Sequence, residues 1–344
     1  MFVTKNITFK GILRFTGAHL VWLTLWAILV ALFYEWVGDE WVPIPWLPIS
    51  IIGTAVAFYV GFKNNSAYDR LWEARKIWGG IVNSSRSWAT AVRSFVSDQF
   101  QEQAVAGDLH AIHGRLIYRH LAWLYALRAQ LLVPTPWEHV SQGRHFRDHA
   151  LRIRRQFGLN LQTDEETERC LREFLPKDEL EPLINAQNTA TQIIDRQSQE
   201  LKALRKADLI DDFRHMELQK ILNEFYTFQG QCERIKKFPL PRQYGAISLV
   251  FVGIFIFLLP LGLVSEFDKL GSWGVLLSIP FTVLVGWVYV TMELIGDYSE
   301  NPFEGLANDV PMMALCRTIE IDLLEMLGET ELPPPIEAKN GVLM

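Results

Sequence analysis

Cysteine is scarce. Cys170, Cys232 and Cys316 are the only ones in 344 residues. They lie far apart and outside the apolar runs, so they form neither a disulfide framework nor a zinc-ligand spacing, which suits a reducing cytosol. Positive charge is in deficit as well. The 33 Lys and Arg face 39 Asp and Glu, for a net charge of −6, which excludes a nucleic-acid partner of the kind that needs its phosphates neutralised. The GxSxG, GxxxxGK[ST] and HExxH patterns are absent. No catalytic constellation remains, so no enzyme is expected. Internal repeats and low-complexity tracts are also lacking, and from Ser66 to Lys237 no apolar run is long enough to cross a bilayer.

What the chain does have is apolar residues in blocks. Hydrophobic residues make up 49% of it, and its mean hydropathy is +0.10, too high for an ordinary soluble protein and too low for an all-membrane one. Twelve tryptophans, several of them flanking apolar runs, resemble interfacial anchors. Phe15–Tyr34 is a run of twenty uncharged residues, too long for a signal-peptide core and without a small-residue cleavage site. Gln243–Ser265 and Leu270–Met292 each supply twenty-three residues without a charge, interrupted by Pro260 and Pro280, which membrane helices tolerate. With the run that begins at Pro48, four spans result.

Basic residues orient them. Lys5, Lys10 and Arg14 precede the first span, Lys63, Arg70, Arg75 and Lys76 follow the second, and Arg234, Lys236, Lys237 and Arg242 lead into the third. The two short turns between spans carry Glu35, Asp39, Glu40, Glu266 and Asp268 but only Lys269 as a base. By the positive-inside rule both termini and the middle region are cytosolic, and the protein sits in a plasma or inner membrane. The predicted fold is an all-α membrane protein with four transmembrane helices and a large helical cytosolic region. The division is 1–65 (spans about 15–34 and 48–63), 66–242 (helical, cytosolic), 243–296 (spans about 243–265 and 270–292) and 297–344. In the last part, Asn308 or Asp309 is expected to cap a helix with the stripe Leu315, Ile319, Leu323 and Met326, closed by Gly328. The final residues are expected to form a mobile tail, and Pro134–Leu161 a loop with a short helix.

The stretch Pro48–Gly80 organises the rest. Its apolar half is too short to span alone, and no Pro or Gly between Phe62 and Trp78 stops the helix. One long helix is expected to enter at one membrane face and continue into water at the other. Ile51, Thr54, Phe58 and Phe62 fall on one stripe, and Gly53, Ala57 and Gly61 form a small-residue face beside it, suited to close helix packing. Both stripes can be ordinary bundle contacts. The sharper reading is a ring of Phe side chains, one per subunit, making a hydrophobic constriction. None of the spans carries a mid-membrane charge, and Glu293 and Asp297 stand at the inner end of the fourth, which fits a passive pathway better than a pump. His110 and His113, at i and i+3, lack further ligands and read as a surface or packed pair. His139, His145 and His149 lie among arginines that repel a cation. The run Arg144, Arg147, Arg152, Arg154 and Arg155 reads as a solvated helix face.

Three segments carry a family resemblance: GFKNNSAYDRLWEARKIWGG with the following SSRS (Gly61–Ser87), QCERIKKFPLPRQY (Gln231–Tyr244) and ENPFEGLANDVPMMALCRTIEIDLLE (Glu300–Glu325). Together, in this order and spacing, the chain resembles the bestrophin ion channels, closest to their prokaryotic branch. The resemblance implies a homopentamer around one axial pore, with a hydrophobic neck at Thr54, Phe58 and Phe62. A second, cytosolic aperture falls near Met216, counted back from Cys232. The family usually has an apolar residue at the first neck position, so Thr54 is a departure that would widen or wet the outer end. Anion (chloride) conduction is implied, with monovalent cation (sodium) conduction as the alternative. A different class is a membrane-anchored scaffold or signalling protein. The expected partners are the bilayer, further copies of the chain and permeant monovalent ions. No cofactor is expected.

Calcium marks a second departure. Animal bestrophins follow Asn-Pro-Phe with a run of acids that clasps the ion. Here Glu304, Gly305, Leu306, Ala307, Asn308 and Asp309 follow Phe303, too few carboxylates for six to eight oxygen ligands. Currents of the reconstituted protein are therefore expected to be independent of calcium, and a steep rise at micromolar calcium would overturn this.

Overall fold

The computed structural model describes residues 1–6, 9–38, 44–99, 109–144, 147–148, 150–152 and 163–344. Asp39, Glu40, Asp108, His145, His149, Arg154 and Arg155 lie outside them. Among the described residues the chain is helical, with two isolated bridges, Phe2–Val342 and Lys339–Val342. The named helices are α1 (Phe9–Val37), α2 (Trp46–Phe95), α3 (Leu109–Leu132), α4 (Thr163–Phe174), α5 (Lys177–Ile184), α6 (Thr189–Lys206), α7 (Asp212–Lys237), α8 (Arg242–Asp268), α9 (Gly274–Asp297) and α10 (Met312–Leu327). Four of them, α1, α2, α8 and α9, are long and apolar enough to cross a membrane.

The chain divides into two compact units, one of residues 1–3, 71–238 and 302–344, the other of residues 4–70 and 239–301. α2 belongs to both, the second unit through Arg70 and the first from Leu71. Its 50 residues run on past Trp78, Gly79 and Gly80 to Phe95. Gly80 is needed there because a Cβ would stand 2.6 Å from the Phe228 ring.

The second unit packs α1, α8, α9 and the first part of α2. Leu23, Ile49, Val56, Val60, Phe255, Leu259 and Val290 form its centre, while Leu25, Leu32, Leu249, Phe257 and Leu284 face outward. Apolar side chains on the outside and small residues at the contacts are the arrangement a lipid solvent favours. Gly262 accommodates Ile49 and Gly286 accommodates Leu23, each at a distance no side chain would allow.

The first unit has a water-type core built on Trp78, Trp88, Leu116, Trp123, Phe225, Ile319 and Leu323. Gly328 ends α10 at φ +87°, the left-handed closure that favours glycine. Asp309 does not cap that helix. Pro311 holds the cap position, and the Asp309 carboxylate turns back to accept from the backbone N–H of Phe303, Gly305 and Val310. The expected mobile tail is instead packed. Val342 and Met344 are buried, Val3 N donates to Gly341 O at 3.0 Å and Leu343 N to Met1 O at 2.9 Å, and Ala314 N in α10 donates to Met344 O at 3.0 Å. Three backbone bonds and a buried valine outweigh what a polar, proline-rich sequence suggests on its own.

His120 in α3 shows how dry this core is. Its ring lies 4.4 Å from that of Phe225 and 5.3 Å from that of Trp123. Ser85 Oγ commits its proton to Ile81 O, so His120 Nε2–H donates to Ser85 Oγ at 2.9 Å. Burial lowers the imidazole pKa from 6.5 to about 3. Below pH 6.5 the unfolded chain takes up a proton that the folded chain refuses until about pH 3, so this contribution to stability is whole above 6.5 and is lost as pH falls. Thermal unfolding of the detergent-solubilised protein should show stability falling as pH drops from about 6.5 towards about 3. His120→Phe should flatten that slope, and an unchanged slope would refute the assignment.

Candidate functional site

In its first half α2 has two distinct faces. Ile49, Gly53, Val56, Val60, Lys63 and Ala67 follow i, i+3 and i+4 steps and are buried. On the opposite side Leu47, Ile51, Thr54, Phe58, Phe62 and Tyr68 are exposed in the single chain, with Phe58 66% and Phe62 65% accessible. Thr54 Oγ1 donates to Ser50 O at 2.9 Å, so its hydroxyl proton is taken by its own helix and the side chain presents a methyl and an oxygen lone pair outward. Of the small-residue face, Gly53 is closely packed. A Cβ there would stand 2.6 Å from the Phe255 ring, and Tyr289 donates its hydroxyl to Gly53 O at 3.0 Å. Gly61 has nothing within 4 Å of its Cβ position. Eight residues of a 3.6-residue helix turn it about 80° away from Gly53, which is why the stripe does not act as one contact.

The charge pattern of the spans differs from the expected one. Lys63 and Glu293 are 1% and 5% exposed, and Lys63 Nζ lies 2.5 Å from Glu293 Oε1. Ser248 in α8 donates to the same oxygen at 2.7 Å. The pair therefore ties α2, α8 and α9 together inside the apolar unit. Removing one partner leaves a buried charge alone, a loss of about 3–5 kcal/mol in comparable cases. Asn64 adds a bond from Nδ2 to Met292 O at 2.8 Å, and its amide lies so close to Gly296 that a Cβ would meet its oxygen at 2.0 Å. The sequence signal for this cluster is the buried stripe itself. Continuing Gly53, Val56 and Val60 by one turn reaches Lys63, which places that charge among the packed residues rather than at a solvated exit.

In the first unit, Met216 on α7 is 70% exposed, with Phe213 one turn earlier at 83%. The Asn-Pro-Phe segment lies in the same unit from Pro302 onward. Its carboxylates are already committed. Glu304 accepts from the His139 backbone at 2.6 Å and from His139 Nδ1 at 3.0 Å. Lys236 is ion-paired with Glu138 and donates to Phe303 O at 3.3 Å. Burial lowers the Lys236 pKa and raises those of Glu138 and Asp309. An ammonium, an imidazole and backbone N–H groups thus occupy the oxygens that a calcium ion would need, and the residues present do not fit that ion. His113 Nε2 bonds to Val96 O at 2.9 Å, and His110 is exposed on the same helix.

A family model described as Bacterial/Fungal Bestrophin protein matches residues 7–325. The chain is 29% identical over 308 residues to a voltage-dependent anion channel-forming protein of Mesorhizobium japonicum, covering 90% of this chain and 82% of that one. A protein of the same description from Escherichia coli is 26% identical over 312 residues, covering 91% and 86%. The crystal structure of a bestrophin homologue from Klebsiella pneumoniae matches with a TM-score of 0.73 at 24% identity, covering 91% of this chain and 98% of that one, a likeness of fold. With the family model running from the start of α1 almost to the end of α10, the chain belongs to the bacterial and fungal bestrophin family.

Proposed function

We propose that this all-α membrane protein is a passive anion channel, assembled as a homopentamer around one axial pore. The single observation that carries the reading is the two-faced pore helix. One side of α2 is locked into its unit by Gly53, Val60 and Lys63, and the other leaves Thr54, Phe58 and Phe62 uncovered. Two large aromatic rings left bare beside a buried stripe call for an occupant. In a ring of subunits that occupant is the conduction path. The relatives named anion channel-forming proteins support the same reading.

A neck of this kind works by exclusion. Phe rings from each subunit narrow an apolar passage that water fills only when it is wide enough. The positive edges of the rings can face a passing anion. Thr54, whose proton stays on Ser50 O, wets the outer end without offering a donor to the ion. Met216, exposed on α7, is the candidate for a second constriction in the cytosolic region. The cytosolic placement of both termini and the inner-membrane location rest on the basic residues flanking the spans. Arg70, Arg75, Lys76, Arg234, Lys237 and Arg242 remain as flanking charges once Lys63 and Lys236 are taken into buried pairs. Sodium conduction through the same neck is the alternative, although Glu293 and Glu300 are buried in ion pairs with Lys63 and Arg242 rather than open to the passage.

Purified protein in liposomes should carry chloride flux, and Phe62→Ala should raise it several-fold by widening the neck. Unchanged flux would remove Phe62 from the pathway. In asymmetric salt the reversal potential should follow the chloride gradient, and a reversal at the sodium potential would decide for the cation channel. No conductance alongside a captured cytosolic partner would decide for a membrane-anchored scaffold.

A further inference from the structure

The Lys63–Glu293 pair is adjacent to the proposed neck, yet neither charge faces it. Phe62 precedes Lys63 by one residue, about 100° around the helix, so the rotation that buries Lys63 is the rotation that presents Phe62. We propose that this buried ion pair is a positioning element that fixes the rotation of α2 and thereby sets the width of the neck, an inference that rests on the reading of Phe58 and Phe62 as neck residues.

Gly53 packs closely on Phe255 at the far end of the stripe, but beside Phe62 the apolar contacts leave that rotation weakly determined. The stripe Gly53, Val56, Val60 and Ala67 is small or β-branched, and dispersion contacts have no preferred direction. The polar bonds do have one. Lys63 Nζ reaches Glu293 Oε1 at 2.5 Å, Ser248 Oγ meets the same oxygen at 2.7 Å, and Asn64 Nδ2 reaches Met292 O at 2.8 Å. Two of these three anchors sit on consecutive residues of α2 and land on consecutive residues of α9, which fixes rotation and axial register together. The lever is sensitive. A turn of about 30° carries a ring centred about 6 Å from the helix axis through about 3 Å, comparable with the size of an ion.

Burying two charges is an expensive way to obtain mere stability, because an apolar pair of similar volume serves as well or better. What the apolar pair lacks is direction. This separates a positioning role from a structural one. In the full-length protein reconstituted in planar bilayers, the double variant K63M/E293L leaves no orphan charge. It should retain the wild-type unfolding temperature and oligomeric state while its unitary conductance rises several-fold. Adding Phe62→Ala to it should give little more than Phe62→Ala alone, since both act through the same ring. Unitary conductance counts only channels that have folded, so a loss of yield does not imitate the effect. Wild-type unitary conductance in K63M/E293L would overturn the positioning role while leaving the neck intact. A rise that adds in full to that of Phe62→Ala would overturn it as well. If Phe62→Ala changes nothing, the neck reading falls, independently of what the double variant does.

Discussion

A helix of 50 residues that must serve two solvents is the constraint on which the rest of this protein depends. Up to Arg70 its neighbours are the apolar helices of one unit, and from Leu71 they are the Trp- and Leu-rich core of the other. No break is available between them. The buried stripe must therefore stay in phase through both environments, and it does so from Ile49 through Val56, Val60, Lys63, Ala67 and Ala74. On the side away from that stripe Phe58 and Phe62 are exposed in the single chain. A shift of one residue would turn every one of these side chains by about 100°. Directional bonds at Gly53 O, Lys63 and Asn64 guard against that slip.

Much of this was legible in the sequence, for reasons that can be named. The four long apolar helices follow from run length, because a bilayer demands about 20 residues and forbids unpaired backbone. The continuity of α2 as far as Trp78 follows from the lack of Pro and Gly between Phe62 and that residue, and the outward stripe of Thr54, Phe58 and Phe62 from simple helical steps. Pairing was not legible. Lys63 and Glu293 are 230 positions apart, and each resembles a flanking charge until the packing brings them together. Likewise Asp309 resembles a helix cap by its spacing, but three backbone donors in the preceding loop compete for its carboxylate and win. Gly61 was misleading for a geometric reason, since steps of four drift around a helix whose period is 3.6.

The Asn-Pro-Phe loop shows the same economy of internal partners. Where a metal would draw oxygens together, this chain uses Lys236, His139 and the loop's own N–H groups. The loop is thus held by groups of the chain itself.

The pairing of residues 1–3 with 341–344 has a consequence for the order in which the protein is made. The first unit draws on three separate parts of the sequence, and the bridge from Phe2 to Val342 joins parts 340 residues apart. During synthesis α1 and the first part of α2 emerge early. The core around Trp78, Trp123 and Phe225 has most of its chain by Lys237, but Ile319 and Leu323 follow only after α8 and α9 have been made. Until then that core lacks part of its own packing. The ribosome must therefore complete two more long apolar helices before that core can close.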